Sequence, residues 1–312
     1  MKAFAELRRK PSPIGGGWRE APGGGIIGKG DTMGKFTGVL LASDYDNTLL
    51  NTETAFLSGA AAPAIPKRNL DALAYFMGNG GAFTVSTGRA VPSIRKFAAD
   101  IPCNAPFIVA NGAALYDFRT HTYADAVCLP ADVPDRADEI LARFPSAGLE
   151  LYDTLDAVHA VRPNQYTRLH EQITRVPVVP HETLSEVPRP VLKMMFEDAH
   201  ETLEDVERAV LARDWSARCE VFFTARTLLE VTAKGATKGT MTLRLAERLG
   251  IARENVYCAG DEANDITMLQ AAAEGFAPSN CVQAVRDCGA TIVGDCSDGA
   301  IADIIDILDT RY

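Results

Sequence analysis

The feature that most constrains this chain is a recurring junction, in which a short apolar run stops abruptly at carboxylates or hydroxyls and gives way to an amphipathic stretch. The first such run, residues 38–43, is followed at once by Asp44, Asp46 and Thr48. Apolar side chains at successive positions of a short strand need cover on both faces, and a parallel sheet wrapped by helices provides it. The pattern predicts further strands at 82–86, 106–110 and 255–259, alternating with helices at 66–78, 91–99, 238–249 and from Asn264 onward. A helix at 282–287, a short strand at 291–293 and a helix at 299–308 complete the series. This alternation is the signature of a Rossmann-like α/β sheet.

Between residues 115 and 223 the pattern changes. Strands are predicted at 149–152, 157–161, 191–197 and 219–223, with helices at 131–143, 164–174 and 201–214. Hairpin-like strand pairs point to a separate α+β module. The α/β alternation resumes with a strand at 227–231. The expected fold is therefore an α/β core, residues 36–114 and 224–312, interrupted by an inserted module at 115–223. The length of 312 residues agrees with about two domains at roughly 150 residues each.

Residues 1–32 carry six basic and three acidic side chains and eight of the 25 glycines, without apolar periodicity. Such a segment buries too little surface to offset its ordering entropy, and it lacks the apolar stretch of a secretory signal. Residues 1–35 are accordingly expected to be a disordered Gly-rich extension. Met33 resembles a natural start, so a chain beginning there is expected to keep full activity.

Composition narrows the function. A net charge of −10 has the wrong sign for a protein whose main task is gripping nucleic acid. No apolar run reaches the roughly 18 residues of a membrane span. The seven cysteines form no C-x-x-C pair, which favours reduced thiols and a cytoplasmic protein over a disulfide framework or a zinc knuckle.

In an open parallel sheet, ligands bind beyond the carboxyl ends of the strands. Asp44 and Asp46 stand there after the first strand, and Ser86, Thr87, Gly88 and Arg89 after the second. Residues 260–265 follow the strand at 255–259, with Asp261 and Asp265 one helical turn apart. Lys238, at a helix start, can bring an ammonium to the same edge. Each piece alone is also what turn and helix-capping chemistry produces. Together, several carboxylates at one edge need a cation, and oxygen ligands favour Mg²⁺. A metal, a hydroxyl, a lysine and backbone amides suit a phosphoryl group, and a carboxylate is a competent nucleophile toward phosphorus.

Those residues resemble the haloacid dehalogenase (HAD) superfamily of phosphotransferases, specifically its Cof-like phosphatases, from about Phe36 to the C-terminus. Asn111 and Gly112 after the third strand, Thr237 and Gly239 around Lys238, and Asp298 with Gly299 add to the likeness. The insertion resembles that family's cap, which closes over the core and selects the substrate. The resemblance implies that Asp44 is the nucleophile and Asp46 the general acid and base. It makes Thr87 the phosphate-binding hydroxyl, ahead of Ser86, and Lys238 the lysine that screens charge. Mg²⁺ would be held by Asp44, the Asp46 main-chain carbonyl and Asp261, with Asp265 in direct contact or one step behind. Gly88, Arg89, Asn111 and Asn264 would line the phosphate site. Many relatives have Gly where Asn47 stands, and Asn tolerates the same unusual backbone angles.

The implied activity is Mg²⁺-dependent hydrolysis of small phosphomonoesters, with sugar phosphates as a candidate class, through an aspartyl phosphate. No organic cofactor, nucleic acid or membrane partner is implied, and oligomeric state is not legible. Phosphomannomutase-like transfer and a non-catalytic regulator that binds a phosphorylated metabolite remain the alternatives. In the insertion, His159, Arg162, Asn164, Gln165, Tyr166 and Arg168 are polar enough to contact a substrate or simply to face solvent.

Overall fold

The computed structural model describes residues 34–52 and 64–312. The expectations for residues 1–33 therefore lie outside the described residues. Gly34 and Lys35, assigned above to the extension, are part of the fold: the Gly34 carbonyl accepts from Thr37, and Lys35 pairs with Asp309 at 2.9 Å.

Strand β1 (Leu40–Ser43) is buried along its length and sits inside a parallel sheet. Its neighbours are β2 (Ala82–Val85) on one side and β12 (Val256–Ala259) on the other, followed by β13 (Glu274–Ala277) and β14 (Thr291–Ile292). Successive β1 side chains enter different cores, as the period-2 geometry of a strand demands. Leu41 packs with Leu73 and Phe76 of α1 (Lys67–Gly78) and Ile304 of α10 (Ala300–Asp309). Leu40 and Ala42 pack with Met241 and Leu245 of α7 (Lys238–Arg248) and Met268 of α8 (Ile266–Ala271). This is the covered parallel sheet that the apolar runs require.

Several local expectations change. The segment predicted as a helix at 91–99 forms only one turn, α2 (Val91–Ile94), before a 3₁₀ turn at Ala98–Asp100. The strand predicted at 106–110, β3 (Phe107–Val109), touches the parallel sheet through a single bridge from Ile108 to Ser86. Its main partner is antiparallel β4 (Ala114–Asp117), which pairs in turn with β5 (Thr122–Ala126). The strand predicted at 227–231 to resume the core, β11 (Leu228–Ala233), instead pairs antiparallel with β10 (Cys219–Ala225) and β9 (Val191–Glu197).

Those strands belong to a six-stranded sheet in the order β10-β11-β9-β6-β7-β8, with β6 at Gly148–Asp153, β7 at Val158–Val161 and β8 at Val178–His181. All its pairings are antiparallel except β7 with β8, so the inserted sheet is mixed. The helix predicted at 131–143 is divided at Ala137 into α3 (Val133–Arg136) and α4 (Asp138–Arg143). Helix α5 (Gln165–Thr174) starts at a capping box in which Asn164 accepts from the Tyr166 and Thr167 amides, and α6 spans His200–Leu211. Helix α9 (Gln283–Asp287) lies between β13 and β14.

Candidate active site

The site is built at the carboxyl end of β1. The Asp44 amide donates to the Ala259 carbonyl at 2.8 Å, extending the β1–β12 ladder by one residue and fixing where the Asp44 carboxylate emerges. The chain then turns sharply at Asn47, whose φ of 54° is left-handed, and Asn280 holds the Asn47 carbonyl at 2.8 Å. Asn is among the few non-glycine residues that adopt that region readily.

Lys238, the first residue of α7, is 2% exposed. The Thr237 side chain caps this helix by accepting from the Thr240 amide. The Lys238 ammonium donates to Asp44 Oδ1 at 2.7 Å and to Asp265 Oδ1 at 2.5 Å. Asp265 Oδ2 accepts the Asp261 and Glu262 amides, each at 3.0 Å, and so shapes the loop after β12. Asp261 accepts from the Thr48 hydroxyl at 2.7 Å, a contact to the β1 loop that the sequence reading did not assign. Two glycines bring these loops together: a Cβ on Gly112, where φ is 90°, would lie 2.1 Å from the Thr237 carbonyl oxygen, and one on Gly239 would lie 2.2 Å from that of Thr267.

Asp44, Asp261 and Asp265 offer carboxylate oxygens within 4.8 Å of one another, all three residues being buried. One ammonium faces three carboxylates. Burial drives Asp44 well above the usual carboxylate range; Lys238 opposes that shift, and Asp265, Asp261 and Asp46 add to it. Asp261 is pushed up to about 7 by burial and then by Asp265, against the Thr48 hydrogen bond and Lys238. For Lys238, burial disfavours the charge, but Asp265 and Asp44 more than offset it, so the ammonium is retained. The deficit of positive charge fits a cation site for hard oxygen ligands.

Asp46 lies apart from that cluster. Its carboxylate forms a two-pronged pair with Arg89 at 2.7 and 2.8 Å, and the guanidinium is also held over the rings of Tyr45 and Phe97. The Thr87 hydroxyl accepts from the Arg89 amide at 3.1 Å, while the Ser86 hydroxyl is buried without a hydrogen-bond partner among the described residues. Asn264 donates to Asn111 at 2.9 Å, and Asn111 donates to Glu230 at 2.9 Å. Ala110, Asn111 and Gly112 all have positive φ, so a strained turn carries Asn111 into the site.

A cavity of about 1020 Å³ opens over these groups, and the inserted sheet roofs it. Asp44, Asp46, Arg89 and Asp261 line the floor, while Glu150, Tyr152, Lys193 and Glu230 line the roof. The roof residues were missed in the sequence. Their signal is a charge at an inward position of an otherwise apolar strand, as at Glu150, Lys193 and Glu230. The insertion residues singled out from sequence do not line the cavity. His159 faces His181 and Asp153, Arg162 donates to the Leu141 carbonyl, and Asn164 caps α5.

The family model for haloacid dehalogenase-like hydrolases matches residues 41–305. Pyridoxal phosphate phosphatase YbhA of Escherichia coli (strain K12) is 26% identical over 274 residues, covering 85% of this chain and 97% of its own. The 5-amino-6-(5-phospho-D-ribitylamino)uracil phosphatase YwtE of Bacillus subtilis (strain 168) is 23% identical over 292 residues, covering 86% and 97%. Among solved structures, the HAD phosphatase BT1666 from Bacteroides thetaiotaomicron has a TM-score of 0.72 at 21% identity, over 92% of this chain and 99% of its own. The subclass IIB sugar phosphatase BT4131 has a TM-score of 0.70 at 20% identity, over 87% and 99%.

A parallel core ending in paired carboxylates under an inserted mixed sheet is the α/β-plus-cap fold of HAD subclass IIB structures. The chain belongs to the haloacid dehalogenase-like hydrolase family, within its Cof-like branch. It is a HAD-type phosphatase, a hydrolase of phosphoric monoesters. Among the described residues, no helix is long and apolar enough to cross a membrane.

Proposed function

We propose that the protein hydrolyses small phosphomonoesters, with sugar phosphates as the first class to test, through an aspartyl phosphate on Asp44 and with Mg²⁺ as its metal. The observation that carries this reading is the Asp44–Lys238–Asp265 arrangement beside Asp261, with Asp46 two residues from Asp44 at the cavity floor.

In the first step an Asp44 oxygen attacks phosphorus and the bond from phosphorus to the ester oxygen breaks. To act as the acid, Asp46 takes up a proton from solvent and frees one oxygen from Arg89, and it then gives that proton to the departing oxygen. In the second step Asp46 takes a proton from water, whose oxygen attacks the phosphorus of the aspartyl phosphate. Inorganic phosphate leaves and the Asp44 carboxylate is restored. Lys238 screens the charge that Asp44 and the phosphate bring together, and Thr87, Gly88 and Asn111 hold phosphate oxygens. Asp44, Asp261 and the Asp46 main-chain carbonyl would hold Mg²⁺, which supplies charge neutralisation for the phosphoryl oxygens when bound. Asp265 serves through its neighbours, since one of its oxygens is given to Lys238 and the other to two amides. Arg89 keeps the Asp46 carboxylate oriented.

The roof, lined by Tyr152, His170, Lys193 and Glu230, is polar and so supports a leaving group rich in hydroxyls. A panel of small phosphate esters assayed for phosphate release with Mg²⁺, beside Asp44→Asn, tests the reading. Turnover of at least one ester is expected in the parent and a loss of roughly 10³-fold or more in the variant. Full activity of Asp44→Asn would overturn the assignment of the nucleophile. Transfer of phosphate to a second sugar without release would make the enzyme a mutase, and tight metabolite binding with no turnover of any ester would make it a regulator.

A further inference from the structure

The cavity roof contains a second group of ligands, separate from the carboxylates at the floor. Glu150 on β6 and Glu197 at the end of β9 are 1% and 0% exposed. They are diagonal neighbours on adjacent strands, since Gly148 stands opposite Glu197 and Glu150 opposite Met195. Gly148 also makes room for α5, because a Cβ there would come within 2.7 Å of the Thr167 hydroxyl. The close approach of that helix brings His170 over both glutamates, with its Nδ1 3.0 Å from Glu150 Oε2 and 3.5 Å from Glu197 Oε1.

Glu150 Oε2 is satisfied by the Tyr152 hydroxyl at 2.5 Å. Glu150 Oε1 and both carboxylate oxygens of Glu197 are buried without a hydrogen-bond partner. Among the described residues no Lys or Arg pairs with either glutamate, since Lys193, the cation of this sheet face, pairs with Glu230. Two buried carboxylates whose nearest donors beyond Tyr152 are a single imidazole and, for Glu197, the Thr167 hydroxyl are under-compensated and call for a cation. Ligand atoms from Glu150, His170 and Glu197 lie within 4.8 Å of one another, close enough to share one ion.

We propose that Glu150, His170 and Glu197 form a second metal site, in the roof of the cavity, for a divalent transition-metal ion of the Zn²⁺ or Mn²⁺ class. One imidazole and two carboxylates suit such an ion better than Mg²⁺, which prefers oxygen ligands alone. Glu197 lies behind the group, whereas Glu150 and His170 line the cavity, so the open side of the ion faces the space above Asp44. An ion held there takes an oxygen or nitrogen donor from the non-phosphorylated end of the substrate; that consequence, unlike the site itself, rests on the phosphatase reading.

The test uses Co²⁺ alone, with no substrate, on the full chain carrying Asp44→Asn and Asp261→Asn to disable the floor cluster. One equivalent of Co²⁺ is expected to bind with a visible ligand-field band, without the thiolate charge-transfer absorption that a cysteine site would give. Adding Glu197→Gln or His170→Ala is expected to weaken binding by at least roughly 100-fold. Glutamine at 197 removes like-charge repulsion, so that protein is expected to fold; if His170→Ala does not, Glu197→Gln and Glu150→Gln decide. No bound equivalent in the floor-disabled protein, or binding unchanged by Glu197→Gln, would overturn the proposal. Neither outcome touches the assignment of Asp44, which the phosphate-release assay tests separately.

Discussion

Among the described residues Lys238 is the only ammonium against three buried carboxylates, so the charge balance of the floor turns on one side chain. Replacing it by Met keeps the volume and removes the charge, leaving Asp44 and Asp265 uncompensated. Lys238→Met is expected to lose about 3–5 kcal/mol of unfolding free energy in chelator, measured by urea denaturation. Mg²⁺ should restore more stability to the variant than to the parent, because it then supplies the missing charge. At Asp46 the expected effect depends on the substrate. A general acid matters most when the departing oxygen is basic, so Asp46→Asn should slow alkyl phosphates by about 10²–10⁴-fold and nitrophenyl phosphate by much less. Equal loss on both would remove the acid role. The roof offers a pH test. In chelator, burial and then the Glu150 charge push Glu197 up to about 9, with Thr167 pulling the other way. A carboxyl whose pKa is raised by folding favours the native state below its unfolded value near 4.5, and that contribution is lost as pH rises toward about 9. His170 and Tyr152 face the same pair, so the comparison is with Glu197→Gln, in which only this group is changed. The stability of the variant relative to the parent should increase across that window, as read from thermal melts, and a flat difference would contradict the shift.

Elements, rather than single side chains, set where these groups meet. The turn at 110–112 packs against the start of α7 through Gly112, whose missing Cβ leaves room for the Thr237 carbonyl. Gly112→Ala would force both a backbone clash and an unfavourable φ, and is expected to cost about 2 kcal/mol or more in urea denaturation. It should also lower kcat, since Thr237 precedes Lys238 in the chain. These elements differ in how far the sequence reveals them. Strands β1 and β12 and helix α7 were legible because their apolar runs end at Asp44 and Asp261 and at a Thr cap, all local signals. Strand β13 was not, because the alanines at 271–273 and Glu274 have high helix propensity, and only pairing with β12 makes Glu274–Ala277 extended. Strand β8 contains Pro180, which fits its place at the edge of the sheet but removes it from a pattern search. The floor carboxylates were readable because each follows its own strand. The roof was not, because Glu150, Lys193, Glu197 and Glu230 meet only after three strands distant in sequence are placed side by side.

At the scale of the whole molecule, the inserted sheet and the core are tied by one buried polar chain. Lys193 on β9 donates to Glu230 on β11 at 2.9 Å and to the Gly88 carbonyl of the core at 3.2 Å. Glu230 accepts in turn from Asn111, and Asn111 from Asn264, both on core loops. Lys193 and Glu230 are 4% and 1% exposed, so salt screens the pair little, and breaking one side leaves a charge buried alone. Glu230→Gln keeps an acceptor for Asn111 but strands the Lys193 ammonium, and Lys193→Met does the converse to Glu230. Each single change is expected to cost about 3–5 kcal/mol, and the double variant less than their sum, with a coupling of about 0.5–3 kcal/mol in urea denaturation. If the chain holds the roof down, the single variants should also speed amide exchange at 86–89 and 110–112, which pack beneath it, while β12 and α10 keep their protection. Exchange that rises evenly across the core would mean general destabilisation, and exchange unchanged at both loops would mean that the polar chain does not hold the roof. The distinction bears on catalysis, because the step at Asp46 needs a closed, dry cavity whereas product release needs the roof to lift. A roof released too readily should therefore raise KM for small esters before it changes kcat.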